Sequence, residues 1–477
     1  MPVYIRPKQG SDVRKLLLLP LLLALSACSS PPQLMPPSPA LPDDWSGAEQ
    51  QGEVPVADAL TAWLVQLNDP QLQALASEAL HANPNLQAAR FSVQRSREAV
   101  VISGADRYPG LSLDVATRRN EGSERVDSLN FNARWELDLW GRLSARQQQA
   151  QLELGAAEAG LQQQEQALVV NLSKQWFALQ EARLLQDLYR QRRDNLQQNV
   201  EVIESGYRQG LNDALDLYLA RNNLHAEAAR VEQQAQQLAE VQRELELLLG
   251  RYPAAQLMSD AELPWLEAEI PAGLPSDLLT RRPDLQQRWL DLLAADAALA
   301  AAHRDRFPSL SLTNTAFGGS SNALSDLLSL GNLSWSIGAS LTQTLFDAGR
   351  KEALQAQALA RRQELEQRWL EAVYAAFAEV ENALSARQSL LQRHAQYLEA
   401  QHNAIHAESL AFEQYQKGLN SYTTVLEAQR RSFDAQTSVL GLRRQLLQNR
   451  VELYRALGGT FQADNVITEP VQEPAAP

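Results

Sequence analysis

The sequence predicts a mainly α-helical protein with a small β part, built from a duplicated unit of one β-hairpin and one long coiled-coil helical hairpin. Three observations predict it. No proline stands between Pro109 and Pro253 or between Pro308 and Pro470, although the 477-residue chain holds 22. Two long blocks therefore admit uninterrupted helix. Within each block the apolar period changes from two to a helical one, and the landmarks of the first block return in order in the second.

The repeat is read from its punctuation. ADRYPGLSLDVAT recurs as RDRFPSLSLTNTA at an offset of 199, and WELDLWGRL as TQTLFDAGR, with 206 residues between Trp140 and Phe346. Tyr207-Arg-Gln-Gly210-Leu-Asn recurs as Tyr415-Gln-Lys-Gly418-Leu-Asn, and Leu248-Leu-Gly250 as Ala456-Leu-Gly458, both at 208. Ordered landmarks at nearly one offset indicate internal duplication. The first repeat is placed at 61–260, with a helix, a β-hairpin at 108–139 and long helices at 142–205 and 211–250. The second is placed at 261–461, with a helix at 281–304, a β-hairpin at 307–345 and long helices at 348–415 and 421–458. Residues 462–477 form an acidic, Pro-containing tail.

Each hairpin alternates strictly. Leu129, Phe131, Ala133, Trp135, Leu137 and Leu139 share one face, and Asn130, Asn132, Arg134, Glu136 and Asp138 the other. Trp335, Ile337, Ala339 and Leu341 repeat the pattern against Ser334, Ser336, Ser340 and Thr342. Beyond Gly141-Arg142, Leu161, Leu168, Leu172, Leu179, Ala182, Tyr189 and Leu196 follow in steps of seven, four and three, a coiled-coil seam. A helix over 142–205 runs roughly 95 Å at 1.5 Å per residue.

The amino terminus reads as a processing segment. Arg6, Lys8, Arg14 and Lys15 precede LLLLPLLLALSA, too short to span a bilayer and suited to a signal-peptide core. The only cysteine, Cys28, follows in Leu25-Ser26-Ala27-Cys28, which resembles the lipobox of bacterial lipoproteins and makes Cys28 the lipid (palmitate) attachment residue. Removing residues 1–27 takes away a net +3, so the chain moves from −14 to −17. The Pro-rich stretch in 28–60 is a tether. An acidic chain without basic clusters argues against nucleic acid.

Four strands with one apolar and one polar face leave open edges and an unburied apolar row. Several copies closing one membrane barrel resolve both problems, because strands of ten to twelve residues match the hydrocarbon layer. A soluble sandwich is the competing arrangement. At this point AWLVQLNDPQLQALASEALHANPNLQAAR, WELDLWGRL, LPSDLLTRRPDL, FDAGR, YQKGLNSYTTVLEAQ and LYRALGG together resemble the TolC/OprM-type outer membrane factors, in the lipoprotein branch sometimes called NodT-like. The resemblance implies a homotrimer with a 12-stranded outer membrane β-barrel continued by a periplasmic α-helical barrel. It further implies the exit duct of a tripartite pump in a Gram-negative bacterium, working with a periplasmic adaptor (membrane fusion) protein and an inner-membrane transporter of RND type. A lipid-anchored coiled-coil scaffold without a pore is the rival reading.

The resemblance also places the periplasmic mouth at the two helix–helix turns. Gly206, Tyr207, Gly210 and Gly418 are then adaptor-docking residues, and Tyr415, Glu427, Asp213 and Asp216 constrict the mouth. Three copies of such acids would bias a pore toward cations. Asn420 and Thr424 stand where related sequences carry Arg and Asp, so no closed-state salt bridge is carried over to them. His402 and His406, one helical turn apart near Glu399 and His394, have metal-binding spacing, yet no Glu follows His402 and the pair is read as solvated helix surface. Glu136 and Asp138 have no nucleophile or base beside them and are expected to line water inside the barrel. No Walker-type loop occurs; no enzyme, cofactor or metal is expected.

Overall fold

The computed structural model describes residues 39, 45, 63–119, 121, 125–259, 263–265, 275–321 and 334–459. Cys28, the tether and the acidic tail lie outside the described residues. The first half holds α1 (Trp63–Gln66), α2 (Pro70–Ala82), α3 (Pro84–Ala105), β1 (Gly110–Arg118), β2 (Val126–Leu137), α4 (Arg142–Arg208) and α5 (Ala214–Leu248). The second holds α6 (Leu278–Arg281), α7 (Pro283–Arg304), β3 (Ser309–Ser321), β4 (Ser334–Thr342), α8 (Arg350–Gln416) and α9 (Tyr422–Ala456). The fold class is the expected one, mostly helical with a small sheet.

The duplication is numerical as well as visual. α4 and α8 have 67 residues each and α5 and α9 have 35, and all four pairs of helix ends are separated by 208. α3 and α7 have 22 residues each at an offset of 199. The second hairpin therefore carries nine residues more than the first, the difference between 208 and 199. The joint also sits at 208, Gly141 at φ 76° matching Gly349 at φ 84°. That corrects the pairing of Trp140 with Phe346 at 206.

The strands form one antiparallel sheet in the order β1-β2-β3-β4, so β1 and β4 are its edges. The register keeps like faces together: Leu111, Leu113 and Val115 oppose Ala133, Phe131 and Leu129, while Ser112 and Asp114 oppose Asn132 and Asn130. A register shift lies between Phe131 and Asn132 where β2 meets β3. On the edges Leu111, Leu113, Val115, Trp335, Ile337 and Leu341 are 61–73% exposed in the single chain.

The chain divides into two compact units, one taking in Phe91–Ala159 and Leu285–Ala372, the other Ala40–Arg90, Gly160–Asp284 and Val373–Pro477. The first contains the sheet. Its helix starts are fixed by side chains: Asp138 accepts from the Leu143 and Ser144 amides at 2.9 and 2.8 Å and from the Ser144 hydroxyl at 2.6 Å. β2 has already ended at Leu137. Asp138 is thus a helix cap and not a wall residue of the barrel, and Glu136 is ion-paired with Arg142 at 2.6 Å. Trp140 donates to the Pro308 carbonyl at 2.7 Å and stacks on Phe307.

The second unit buries most of the seam: Leu172, Leu179, Ala182 and Leu196 are all 4% exposed or less, while Leu161 and Tyr189 are half-buried. The N-terminal helices key into it. Asp69 caps α2 through the Leu72 amide and accepts from the Trp176 indole at 2.7 Å. Trp63 stacks on Tyr454, whose hydroxyl donates to Gln66. Asn83 caps α3 and donates to the Leu248 carbonyl, tying α5 down at its end. Arg282, buried at the start of α7, is held by Asp284 and Glu379.

Candidate functional site

The two helix–helix turns are built alike. Each long helix ends in a glycine with positive φ, Gly210 at 75° and Gly418 at 72°. Leu211 donates to the Gly206 carbonyl and Gly210 to that of Tyr207; Leu419 donates to Gln414 and Gly418 to Tyr415. This closes both helices with the 6→1 and 5→2 bonds of a Schellman end, which needs a left-handed residue that glycine supplies without a Cβ penalty. Gly206 is different. It lies within α4, and a Cβ there would fall 2.3 Å from the Asn212 amide nitrogen. Its absent side chain makes room for Asn212, which donates to the Ile203 carbonyl, so Gly206 serves the turn by giving space as well as by accepting from Leu211.

Between the turns the two hairpins of one chain share a small core of Val200, Ile203, Leu217, Ala220, Ala411, Tyr415, Tyr422 and Val425. Two of the residues expected at the mouth meet in it: the Tyr415 hydroxyl donates to Asp216 at 3.0 Å. Burial, then the bond to Asp216, pushes the Tyr415 phenol well up. Tyr422, fully buried and tilted against Tyr415 at 5.4 Å, is pushed up to about 12 by burial and by Asp216. The repeat partner of Tyr415, Tyr207, is 45% exposed. Equivalent positions thus differ because Tyr422 faces Tyr415, whereas the first half has Ala214 at that place.

Of the other two residues expected at the mouth, Asp213 acts on Tyr415 through its charge, raising the phenol further, without a hydrogen bond to it. Asp213 precedes α5 in extended conformation, exposed and making no side-chain cap bond. Glu427 lies half-buried on α9 and pairs with Arg430 at 2.9 Å and Arg431 at 2.7 Å. Those hydrogen bonds, Arg431 first, hold its carboxyl below the usual range. Its charge is offset on its own helix, a partnership that the i,i+3 and i,i+4 spacing of the sequence already displays. Asn420 donates to Gln414 at 2.7 Å, and Thr424 lies 3.2 Å from the Ser421 hydroxyl. Both spend their polar atoms locally.

Away from the mouth, His394 is 6% exposed and stacks on Trp265 at 4.8 Å. Burial, reinforced by Arg443, lowers its pKa from 6.5. The sequence carried no signal for this contact, because Trp265 follows a proline in an irregular segment far from α8. No group of three or more His, Cys, Asp or Glu is arranged to hold a metal among the described residues. No helix among them is long and apolar enough to cross a membrane.

A duplicated helical hairpin hung from a sheet with an apolar outer row and two open edges defines an outer membrane channel subunit. The chain belongs to the outer membrane efflux protein family, whose model matches residues 75–251 and 274–459, one match in each half. It is 32% identical over 466 residues to the cation efflux system protein CusC of Escherichia coli O6:H1, covering 94% of this chain and 99% of that one. It is 30% identical over 454 residues to the solvent efflux pump outer membrane protein SrpC of Pseudomonas putida, covering 92% and 96%. Among solved structures, the outer-membrane channel OprN matches with a TM-score of 0.82 at 26% identity, over 91% of this chain and all of that one. Its place is the outer membrane of a Gram-negative cell, and its work is efflux.

Proposed function

We propose that three copies of this chain assemble into the exit duct of a tripartite pump, passively conducting cargo received from an inner-membrane transporter of RND type and a periplasmic adaptor. One observation carries the reading. A four-stranded sheet with unpaired β1 and β4 edges and an exposed apolar row is unstable as it stands in either water or lipid. Within the antiparallel order β1 and β4 run in opposite directions, so β4 of one copy accepts β1 of the next antiparallel. Three copies of the sheet give twelve strands, an even-numbered closed barrel.

In this reading Cys28 carries the lipid, Gly210 and Gly418 shape the turns that receive the adaptor, Tyr207 offers an exposed ring beside them, and Gly206 supports the first turn through Asn212. The Tyr415–Asp216 bond holds the two hairpins of each chain together in the closed mouth. Glu427 is assigned a lesser part, because its paired charge contributes little to a ring of acids; exposed Asp213 is the better source of cation preference. Relatives are named for cation efflux and for solvent efflux. Cargo of either kind fits a wide polar tunnel, with selection made by the transporter. Planar-bilayer recording on the purified assembly tests the reading. Stepwise conductance that rises when the mouth is weakened is expected, whereas a trimer that never conducts would favour the pore-less scaffold.

A further inference from the structure

We propose that His402 and His406 form a binding site for a divalent transition metal ion of the copper, nickel or zinc class. Both residues are exposed on α8, and their rings meet with centroids 4.5 Å apart and planes at 75°. Residues four apart lie on one helix face, so the two imidazoles project over the same turn. Side-chain rotation about that position brings one nitrogen of each ring toward a common point. Imidazole nitrogen is a favoured donor for this class of ion, and Cu(II) is bound most tightly within it.

Of the other histidines, His225 stands exposed on α5 with no second imidazole beside it, and three are engaged elsewhere. His81 lies 2.7 Å from the Ser77 carbonyl, His303 is set edge-on to Phe307, and His394 is buried against Trp265. His402 and His406 contact each other, and neither ring is engaged by a carboxylate or carbonyl among the described residues. With no larger cluster of ligands among those residues, two coordination positions come from the protein and water fills the rest. Such an open site captures its ion reversibly, unlike a structural zinc closed by four side chains. Both ligands belong to one rigid element, about 15 Å of helix above the end of α8 at Gln416. The ion therefore staples a single turn of α8 and joins no second element. The site stands apart from the export reading, since loss of conductance would leave it unchanged.

The test uses the full-length protein in detergent, free of any affinity tag and stripped with chelator, titrated with Cu(II) and followed by calorimetry and electron paramagnetic resonance. One Cu(II) per chain with a two-nitrogen signature is expected. His402→Ala and His406→Ala, each left with one imidazole, should weaken binding about tenfold or more while circular dichroism stays unchanged. Zn(II) should compete with Cu(II) for the same position. Undiminished Cu(II) binding in the double variant, or no binding by the unaltered protein at micromolar metal, overturns the proposal.

Discussion

At the level of single residues, the two helical hairpins of the chain are joined by a hydrogen bond that sequence separation conceals. Tyr415 and Asp216 are 199 positions apart, and only packing of the two hairpins brings them to 3.0 Å. Tyr415→Phe removes the hydroxyl and keeps the ring against Tyr422, so the fold should lose only about 0.5–1.5 kcal/mol per chain. Its expected effect is a higher open probability in bilayer recordings; conductance identical to that of the unaltered channel would remove the bond from the gate. His394 yields a pH prediction. Its pKa is lowered in the folded protein by burial and by Arg443, so the unfolded chain binds its proton more readily. This contribution to stability is complete above 6.5 and declines as pH falls below that value toward the lower folded pKa. The melting temperature should drop between pH 7 and 5, and His394→Gln should flatten the drop, as differential scanning calorimetry would register. Turn glycines and repeated tyrosines were legible from punctuation alone. The role of Gly206 was not, because the reason for it is the side chain of Asn212 six residues on. The arginine partners of Glu427 are plain in the local spacing.

At the level of elements, boundaries were readable because proline, glycine and periodicity all change at the same places. The long helices end within a few residues of where those signals fall. Asp138 escaped the pattern because strand alternation continues through it while its carboxylate is captured by the next helix's amides. The four glycine helix ends separate conformational from steric demands. Gly210 and Gly250 share the left-handed conformation, but a Cβ on Gly210 meets nothing within 4 Å, whereas one on Gly250 would lie 2.6 Å from the Ala82 carbonyl oxygen. Gly210→Ala should therefore cost only the backbone strain, about 1–2 kcal/mol. Gly250→Ala adds an overlap against backbone that cannot rotate away, roughly 1–3 kcal/mol more. Chemical denaturation of the two variants side by side should give this order; equal midpoints would show that α2 yields to the new methyl group.

For the whole molecule, duplication and compactness follow different divisions. Each repeat runs through one β-hairpin and one helical hairpin, yet each compact unit draws on both repeats. A repeat is thus not an independent folding body; the seam and the sheet are completed only when both halves are present. The sheet in turn is completed only by further copies, and its two faces make that claim testable. Leu113, in the middle of β1 opposite Phe131, belongs to the exposed apolar row, while its neighbour Ser112 opposes Asn132 on the polar face. If the apolar row meets lipid, Leu113→Arg places a cation in hydrocarbon at a cost of about 2–4 kcal/mol per chain near the bilayer midplane. The penalty recurs in every copy, so it multiplies in an assembled barrel. Ser112→Arg adds the same side chain one position away, where it meets water in the lumen. Leu113→Arg should thus deplete the SDS-resistant oligomer in outer membrane fractions, and Ser112→Arg should leave its amount unchanged. The reverse pattern would turn the sheet inside out, and equal amounts of oligomer for both variants would return the sheet to a soluble sandwich.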